Sequence, residues 1–121
     1  MSETLDNADD GLGLIRELCN GKVTRLKDGW RDLIHMEQLH LLVCGEERVV
    51  DAVLCLNHDN SSYPTKLYLA ENLGAGLNWN EQAYVLSRNW HTYSWSGVTP
   101  NQPYADILAA HLAPLAKAKA A

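Results

Sequence analysis

The chain has 121 residues, a hydrophobic fraction of 46% and a formal net charge of −5, which fits one globular domain with one core. The acidic balance excludes the usual nucleic-acid-binding and anionic-membrane classes, since both need a basic face. The first residues pair no basic region with an apolar run, and no apolar run approaches the roughly 20 residues of a membrane helix. We therefore expect a cytoplasmic protein with no membrane and no nucleic-acid partner.

The N-terminal part divides into a short arm and the start of the domain. Residues 1–10 carry four carboxylates and are predicted to form a flexible acidic arm, while residues 11–121 form a single domain. A helix is expected from about Leu12 to Cys19, with Asp9 or Asp10 as its cap. Asn20-Gly21 ends this helix, because both residues tolerate the left-handed conformation.

The middle of the chain reads as consecutive strands. Residues 22–30 are charged and irregular and contain the turn signal Asp28-Gly29. Apolar, partly β-branched runs then cover 32–44, either as one strand or as two with a break near Glu37, and afterwards 49–56 and 65–70. Short polar links between these runs predict an antiparallel meander of about four strands.

The last part of the chain combines loop, aromatic residues and a helix. Residues 71–80 are predicted as loop, and their Gly-Ala-Gly lacks the Lys-Ser/Thr ending of a phosphate loop. Residues 81–86 are expected to make a short helical turn and 87–100 an aromatic loop. Pro103 opens a final helix that Pro114 ends or kinks. The predicted class is α+β.

Three motifs in this order resemble the ubiquitin-conjugating (UBC, or E2) superfamily, and more narrowly a group of divergent bacterial E2-like proteins. Tyr63-Pro64 before Lys66-Leu67-Tyr68-Leu69 is similar to the E2 step at the last strand of the meander. Ser87-Arg88-Asn89-Trp90-His91 is similar to a Ser-Arg-His-Trp-type motif of that group, and Trp95-Ser96-Gly97-Val98 to its Trp-x-Gly-x-Asp element. The resemblance spans roughly residues 31–116 and implies a UBC/E2-like fold.

The resemblance departs from working E2 enzymes at the expected nucleophile. Such enzymes carry a thioester-forming cysteine after the meander, whereas no cysteine follows Cys55 here, and Asn78-Trp79-Asn80 stands nearest to the usual His-Pro-Asn. The resemblance therefore implies a non-catalytic module that binds a ubiquitin-like protein, an E1-like protein or both. The alternatives are an active conjugating enzyme that uses Cys44 or Ser87, and a small binding or assembly domain unrelated to conjugation.

Ser87 and His91 are the candidate catalytic pair. If the segment is a helical turn, these residues lie four apart and can touch as nucleophile and base. The other interpretation is a loop held by a Ser87–His91 hydrogen bond, with Arg88 stacked on Trp90. A triad would also need an orienting carboxylate and an oxyanion hole, which the sequence does not place.

The aromatic residues of this half are either core or interface. Eight of the nine aromatic residues fall between Tyr63 and Tyr104, and large rings dominate both cores and binding surfaces. Trp90, Tyr93 and Trp95 are either packed under the final helix or form a grip for a partner. The residues predicted for partner binding or loop anchoring are Tyr63, Pro64, Arg88, Trp90, His91, Tyr93 and Trp95.

Metal, cofactor and thiol chemistry receive little support from the sequence. His35 and His40 lie five apart, which puts them on opposite faces of a continuous strand, so neither a metal nor a cofactor is expected. The three cysteines contain no Cys-x-x-Cys pair. Cys55 reads as a buried core thiol and Cys19 sits at a helix end that does not lower a thiol pKa, whereas exposure near a charged turn would make Cys44 reactive.

Overall fold

A six-stranded antiparallel sheet dominates the protein. The computed structural model describes residues 11–58, 62–74, 79, 81–93 and 95–117. The strands are β1 Val23–Asp28, β2 Arg31–Val43, β3 Glu46–Cys55, β4 Lys66–Leu69, β5 Glu81–Val85 and β6 Arg88–Thr92, and the helices are α1 Gly13–Glu17 and α2 Tyr104–Lys117. The strand order is β1-β2-β3-β4-β6-β5.

The predicted UBC/E2-like fold with a meander of about four strands is wrong. Of the described residues, 45% are in strands and 19% in helices, with one short N-terminal helix and one longer C-terminal helix, whereas the UBC fold has a core rich in helix. The two missed regions explain the difference. Residues 22–30 read as irregular because β1 is an edge strand whose charged side chains face water, and residues 81–92 read as helical turn and loop.

The hairpin of β5 and β6 lacked a recognisable turn signal. Its two turn residues, Leu86 and Ser87, have φ values of 53° and 63°, as a two-residue turn of type I′ requires. Asn-Gly is the usual sequence there, and Leu-Ser is not.

Residues 1–10, with the predicted arm and the caps Asp9 and Asp10, lie outside the described residues.

A bulge in β2 decides which side chains face the core. The pairing shifts between Met36, opposite Ala52, and Leu39, opposite Val50, and the backbone N–H of Gln38 (φ 54°) donates to Asp51 Oδ1 at 2.9 Å. The extra residue keeps Met36 and Leu39 on one face, in the same buried cluster. His35 and His40 therefore share the other face, so the prediction that they point to opposite faces is wrong.

The sheet buries both of its faces. The larger core lies between the sheet and the two helices, with Ile15 and Leu108 among its fully buried members. The opposite face holds a second buried cluster, whose members are Leu33, Val53, Cys55, Tyr68, Val85 and Trp90. The two ends of the sheet approach each other on this second face, since the backbone N–H of Leu86 donates to Asp28 Oδ2 at 2.7 Å.

Helix α2 begins after Pro103 and continues through Pro114 to Lys117, so this proline does not end the helix. Spacings of three or four residues in the sequence predict one face made of Tyr104, Ile107, Leu108, Leu112 and Leu115. Ile107, Leu108 and Leu115 are buried, whereas Tyr104 and Leu112 are half-buried, and His111 is buried without having been predicted. Tyr104 at its first turn accepts a hydrogen bond from Arg25 Nη1 at 2.7 Å. Arg25 also forms two hydrogen bonds with the Asp32 carboxylate, and this arrangement lowers the pKa of Asp32.

The chain after α1 extends the sheet alongside the bulge, and Gly21 allows this close approach. The N–H of Gly21 donates to the carbonyl of Glu37 at 3.1 Å. The N–H of Glu37 in turn donates to the carbonyl of Lys22 at 2.9 Å. A Cβ on residue 21 would lie 2.5 Å from Glu37 Cβ and 3.2 Å from its carbonyl oxygen. Both atoms belong to or adjoin the backbone, so relief requires the bulge to move.

We expect Gly21→Ala to lower the free energy of unfolding by about 1–3 kcal/mol, the usual cost of an overpacked site. Gly13→Ala is the matched control, because its Cβ meets nothing within 4 Å and lies in α1, where alanine is favoured over glycine. Urea denaturation measures both variants. Equal stabilities of the two would show that the clash at Gly21 is absent.

Candidate functional site

An open cleft of about 700 Å³ lies at the end of the sheet where three connections meet. Its walls come from the β1–β2 turn, from the segment after β3, from the residue before Thr65 and from the loop that leads into α2. The lining residues are Trp30, Leu56, Asn57, His58, Pro64 and Pro100. The indole, Leu56 and the two prolines supply the apolar part of this lining, and Asn57 and His58 supply its polar groups.

Asn57 fixes the first wall of the cleft, which consists of the β1–β2 turn and the segment after β3. Its side-chain Nδ2 donates to the carbonyl of Trp30 at 2.8 Å, and its Oδ1 accepts from the backbone N–H of Asp32 at 2.8 Å. Gly29, with a φ of 64°, and Trp30 form the two-residue turn between β1 and β2. The backbone of Trp30 is thus held in place while its side chain remains 53% exposed.

Cationic and aromatic groups flank this indole. The Arg31 guanidinium lies 5.0 Å from the centre of the Trp30 ring, a cation–π contact. The ring centres of Trp30 and His58 are 6.4 Å apart with an interplanar angle of 39°. The first wall can therefore offer a ligand a flat apolar surface with a positive edge.

The second wall joins the segment before β4 to the loop before α2. The N–H of Gly97 donates to the carbonyl of Ser62 at 2.9 Å, and the Thr65 hydroxyl donates to the carbonyl of Val98 at 2.7 Å. These bonds place Pro64 and Pro100 in the same wall. Tyr63, predicted for partner binding, is half-buried here, with the Lys66 ammonium 5.2 Å from its ring centre.

The candidate catalytic pair is not brought together. Ser87 lies in the β5–β6 turn, and His91 lies within β6, opposite Gln82 and Leu69. An extended strand advances about 10 Å over the three steps from Arg88 to His91, so the helical contact expected between Ser87 and His91 does not form. The predicted helical turn at this position is wrong for the same reason.

Arg88 and Trp90 make the predicted stacking contact, but at a different place in the fold. The Arg88 guanidinium lies 4.5 Å from the centre of the Trp90 ring, and the Trp90 indole donates to the carbonyl of Val85 at 2.8 Å. Trp90 is fully buried in the cluster on the sheet face opposite α2. It is therefore core, although it does not lie under the final helix.

Tyr93 lies in the core, whereas Trp95 lies at the surface. Tyr93 is buried against α2 and its hydroxyl donates to the carbonyl of His111; burial raises the pKa of this tyrosine. Trp95 is 40% exposed and precedes Gly97, whose N–H is bonded to Ser62. Of the predicted aromatic residues in this loop, only Trp95 offers a large exposed ring among the described residues.

The cysteines occupy three different environments. Cys55 is buried and burial raises the pKa of its thiol, as it does for Cys19, where the pKa rises to about 11. Cys44 is half-buried at the β2–β3 turn with a φ of 55°. Over the ranges that the structure describes, no group of three or more His, Cys, Asp or Glu side chains is arranged to hold a metal ion.

Sequence reasoning missed five of the six cleft residues, namely Trp30, Leu56, Asn57, His58 and Pro100. Asp28-Gly29 was recognisable as a turn signal, and Trp30 is the second residue of that turn. Because connecting segments lie at the surface, this position was a usable signal for an exposed ring. Asn57 carried no such signal, because its role depends on a partner 27 residues away. Pro100 likewise joins the cleft only through the tertiary contact between Thr65 and Val98.

Comparison with protein-family models, with curated proteins and with solved structures finds no match to this chain. Among the described residues, neither helix is long and apolar enough to cross a membrane.

Proposed function

We propose that this chain is a non-catalytic protein-binding module and that the cleft is its recognition surface. The observation that carries the proposal is the Trp30 side chain, which is 53% exposed although Asn57 fixes its backbone. Tryptophan and arginine are enriched among the residues that dominate binding energy. Because its backbone is already fixed, Trp30 loses less conformational entropy when a partner covers it than a residue on a mobile segment would.

The sequence resemblance supplies the partner class. We propose a ubiquitin-like protein, an E1-like protein or both, on the strength of the three motifs. The fold is not part of this argument. Two of the motifs lie close to the cleft, since Pro64 lines it and the segment 95–98 is bonded to Ser62. In the third motif only Trp90 is buried in the core, while Ser87, Arg88 and Asn89 are exposed.

Calorimetric titration with the ubiquitin-like and E1-like proteins of the host tests the proposal. We expect Trp30→Ala to weaken binding by more than about 30-fold, which corresponds to about 2 kcal/mol for a central aromatic residue. Leu42→Ala is the control, because Leu42 is 50% exposed but lies at the opposite end of β2. Equal losses in the two variants would place the recognition surface elsewhere.

The alternative of a conjugating enzyme makes a different prediction for the protein in its host. If Cys44 carried a modifier as a thioester, the intact mass would increase by several kilodaltons and return to normal with an added thiol, which takes over the acyl group and releases the Cys44 thiolate. An adduct on Ser87 would be an ester and would survive the same thiol. Either adduct would contradict the non-catalytic proposal, and Cys44→Ala and Ser87→Ala would identify the attachment site.

A further inference from the structure

The two prolines of the second wall cannot hold their own positions by donating backbone hydrogen bonds, since proline has no N–H. Their neighbours do so instead. Pro64 precedes Thr65, which is 1% exposed, and Pro100 follows Val98, which is 5% exposed, by two residues. The Thr65 hydroxyl donates to the carbonyl of Val98 at 2.7 Å, so one buried bond links the two proline-bearing segments.

His111 of α2 adds a second hydrogen bond to this link. Its Nε2 lies 2.9 Å from the Thr65 Oγ, and the side chain is 2% exposed. A hydroxyl has one proton, and Thr65 gives it to the carbonyl of Val98. His111 must therefore donate from Nε2–H, which fixes its tautomer and makes a directed chain from His111 through Thr65 to Val98.

We propose that Thr65 and His111 are positioning residues of the cleft: they hold Pro64 and Pro100 at the spacing that a partner requires. This inference rests on the proposed function for its effect on affinity. Neither side chain lines the cleft, so both act through the two prolines. The chain of hydrogen bonds also ties the cleft to the buried face of α2.

Thr65→Val tests the link, because valine keeps the volume and removes the hydroxyl. We expect affinity for the host ubiquitin-like protein to fall about tenfold, as expected when one buried hydrogen bond is lost. Thr65→Ser restores the hydroxyl and should bind within about twofold of the unmodified protein. His111→Gln retains an N–H donor at the same reach and should behave like Thr65→Ser.

Thr92→Val is the matched control for a purely structural effect. Thr92 is also fully buried, and its hydroxyl donates to the carbonyl of Leu67 at 2.8 Å, but it does not adjoin a cleft residue in the chain. Thr92→Val should lose stability and keep its affinity. Equal affinity losses for Thr65→Val and Thr92→Val, or no loss for Thr65→Val, would overturn the positioning role.

A second measurement needs no partner. In the free protein, the ¹³C–¹H resonances of the Pro100 ring, which is linked to Thr65 only through the bond to Val98, should shift in Thr65→Val and stay nearly unchanged in Thr65→Ser and Thr92→Val. Unmoved proline resonances would overturn the inference even if binding fell. If the unmodified protein binds no probe, the proposed function fails, and these resonances still decide the positioning role. If Thr65→Val does not fold, His111→Asn, whose amide is too short to reach Thr65, takes its place.

Discussion

Replacing Trp90 with alanine is expected to lower the free energy of unfolding by about 3–5 kcal/mol, the range for deleting a buried aromatic side chain. Trp90 is 0% exposed and is the largest member of the cluster on the sheet face away from α2. Its deletion would leave a cavity, an unused carbonyl at Val85 and an uncovered Arg88 guanidinium. Urea denaturation followed by far-ultraviolet circular dichroism measures the loss.

Trp30→Ala is the control for this prediction. We expect the Trp90 variant to lose stability and the Trp30 variant to lose binding. Trp30 is largely exposed, so its removal should change the free energy of unfolding by less than about 1 kcal/mol while binding at the cleft falls. Trp90→Phe should lie between Trp90→Ala and the unmodified protein, because it keeps a ring and loses the indole N–H. Similar stabilities of Trp30→Ala and Trp90→Ala would contradict the assignment of Trp90 to the core.

The second large effect is the loss of stability in mild acid. Burial, and to a smaller extent the nearby Lys66 ammonium, together lower the pKa of His111 from 6.5 to about 4. The other polar groups that face it are the Thr65 hydroxyl and the Tyr93 hydroxyl, which donates to its carbonyl. Neither hydroxyl can compensate a positive charge as a carboxylate would.

The sign of the effect follows from proton uptake. Between pH 6.5 and 4 the unfolded chain protonates His111 and the folded protein does not, so stability is fully present above pH 6.5 and is lost as the pH falls toward 4. A difference of this size corresponds to about 3 kcal/mol over the whole interval. The Asp32 carboxylate acts in a lower window, because its pKa lies below its usual 3.8.

Urea denaturation at several pH values between 7 and 4.5 checks this prediction. His111→Gln removes the titration and keeps a hydrogen-bond donor to Thr65, so its free energy of unfolding should depend less steeply on pH than that of the unmodified protein. Parallel pH profiles for the two proteins would show that His111 does not cause the loss.

Local sequence patterns correctly predicted the strands and the helix whose own apolar side chains are buried. The apolar runs correspond to β2, β3 and β4, and the spacing of Ile107, Leu108 and Leu115 located the buried face of α2. These predictions succeed because side-chain alternation and helical periodicity record which face of an element leaves water. The burial of Cys55 followed from the same pattern.

Only the tertiary structure decided three features: the number of strands in the sheet, the sheet face on which His35 and His40 lie, and the set of residues that line the cleft. Strand β1 carries charged residues and becomes a strand through pairing with β2, while β5 and β6 form around a Leu-Ser turn without the usual turn residues. One extra residue in β2 reverses the alternation from Gln38 onward, which local periodicity does not reveal.

The cleft depends on hydrogen bonds between residues that are distant in sequence. Asn57 reaches Trp30 across 27 residues, Thr65 reaches Val98 across 33 and His111 across 46. Each residue carries an ordinary local pattern, and its role arises only when folding brings its partner within hydrogen-bond distance. The sequence by itself therefore determined which segments are buried, and the tertiary contacts decided which exposed residues meet to form a site.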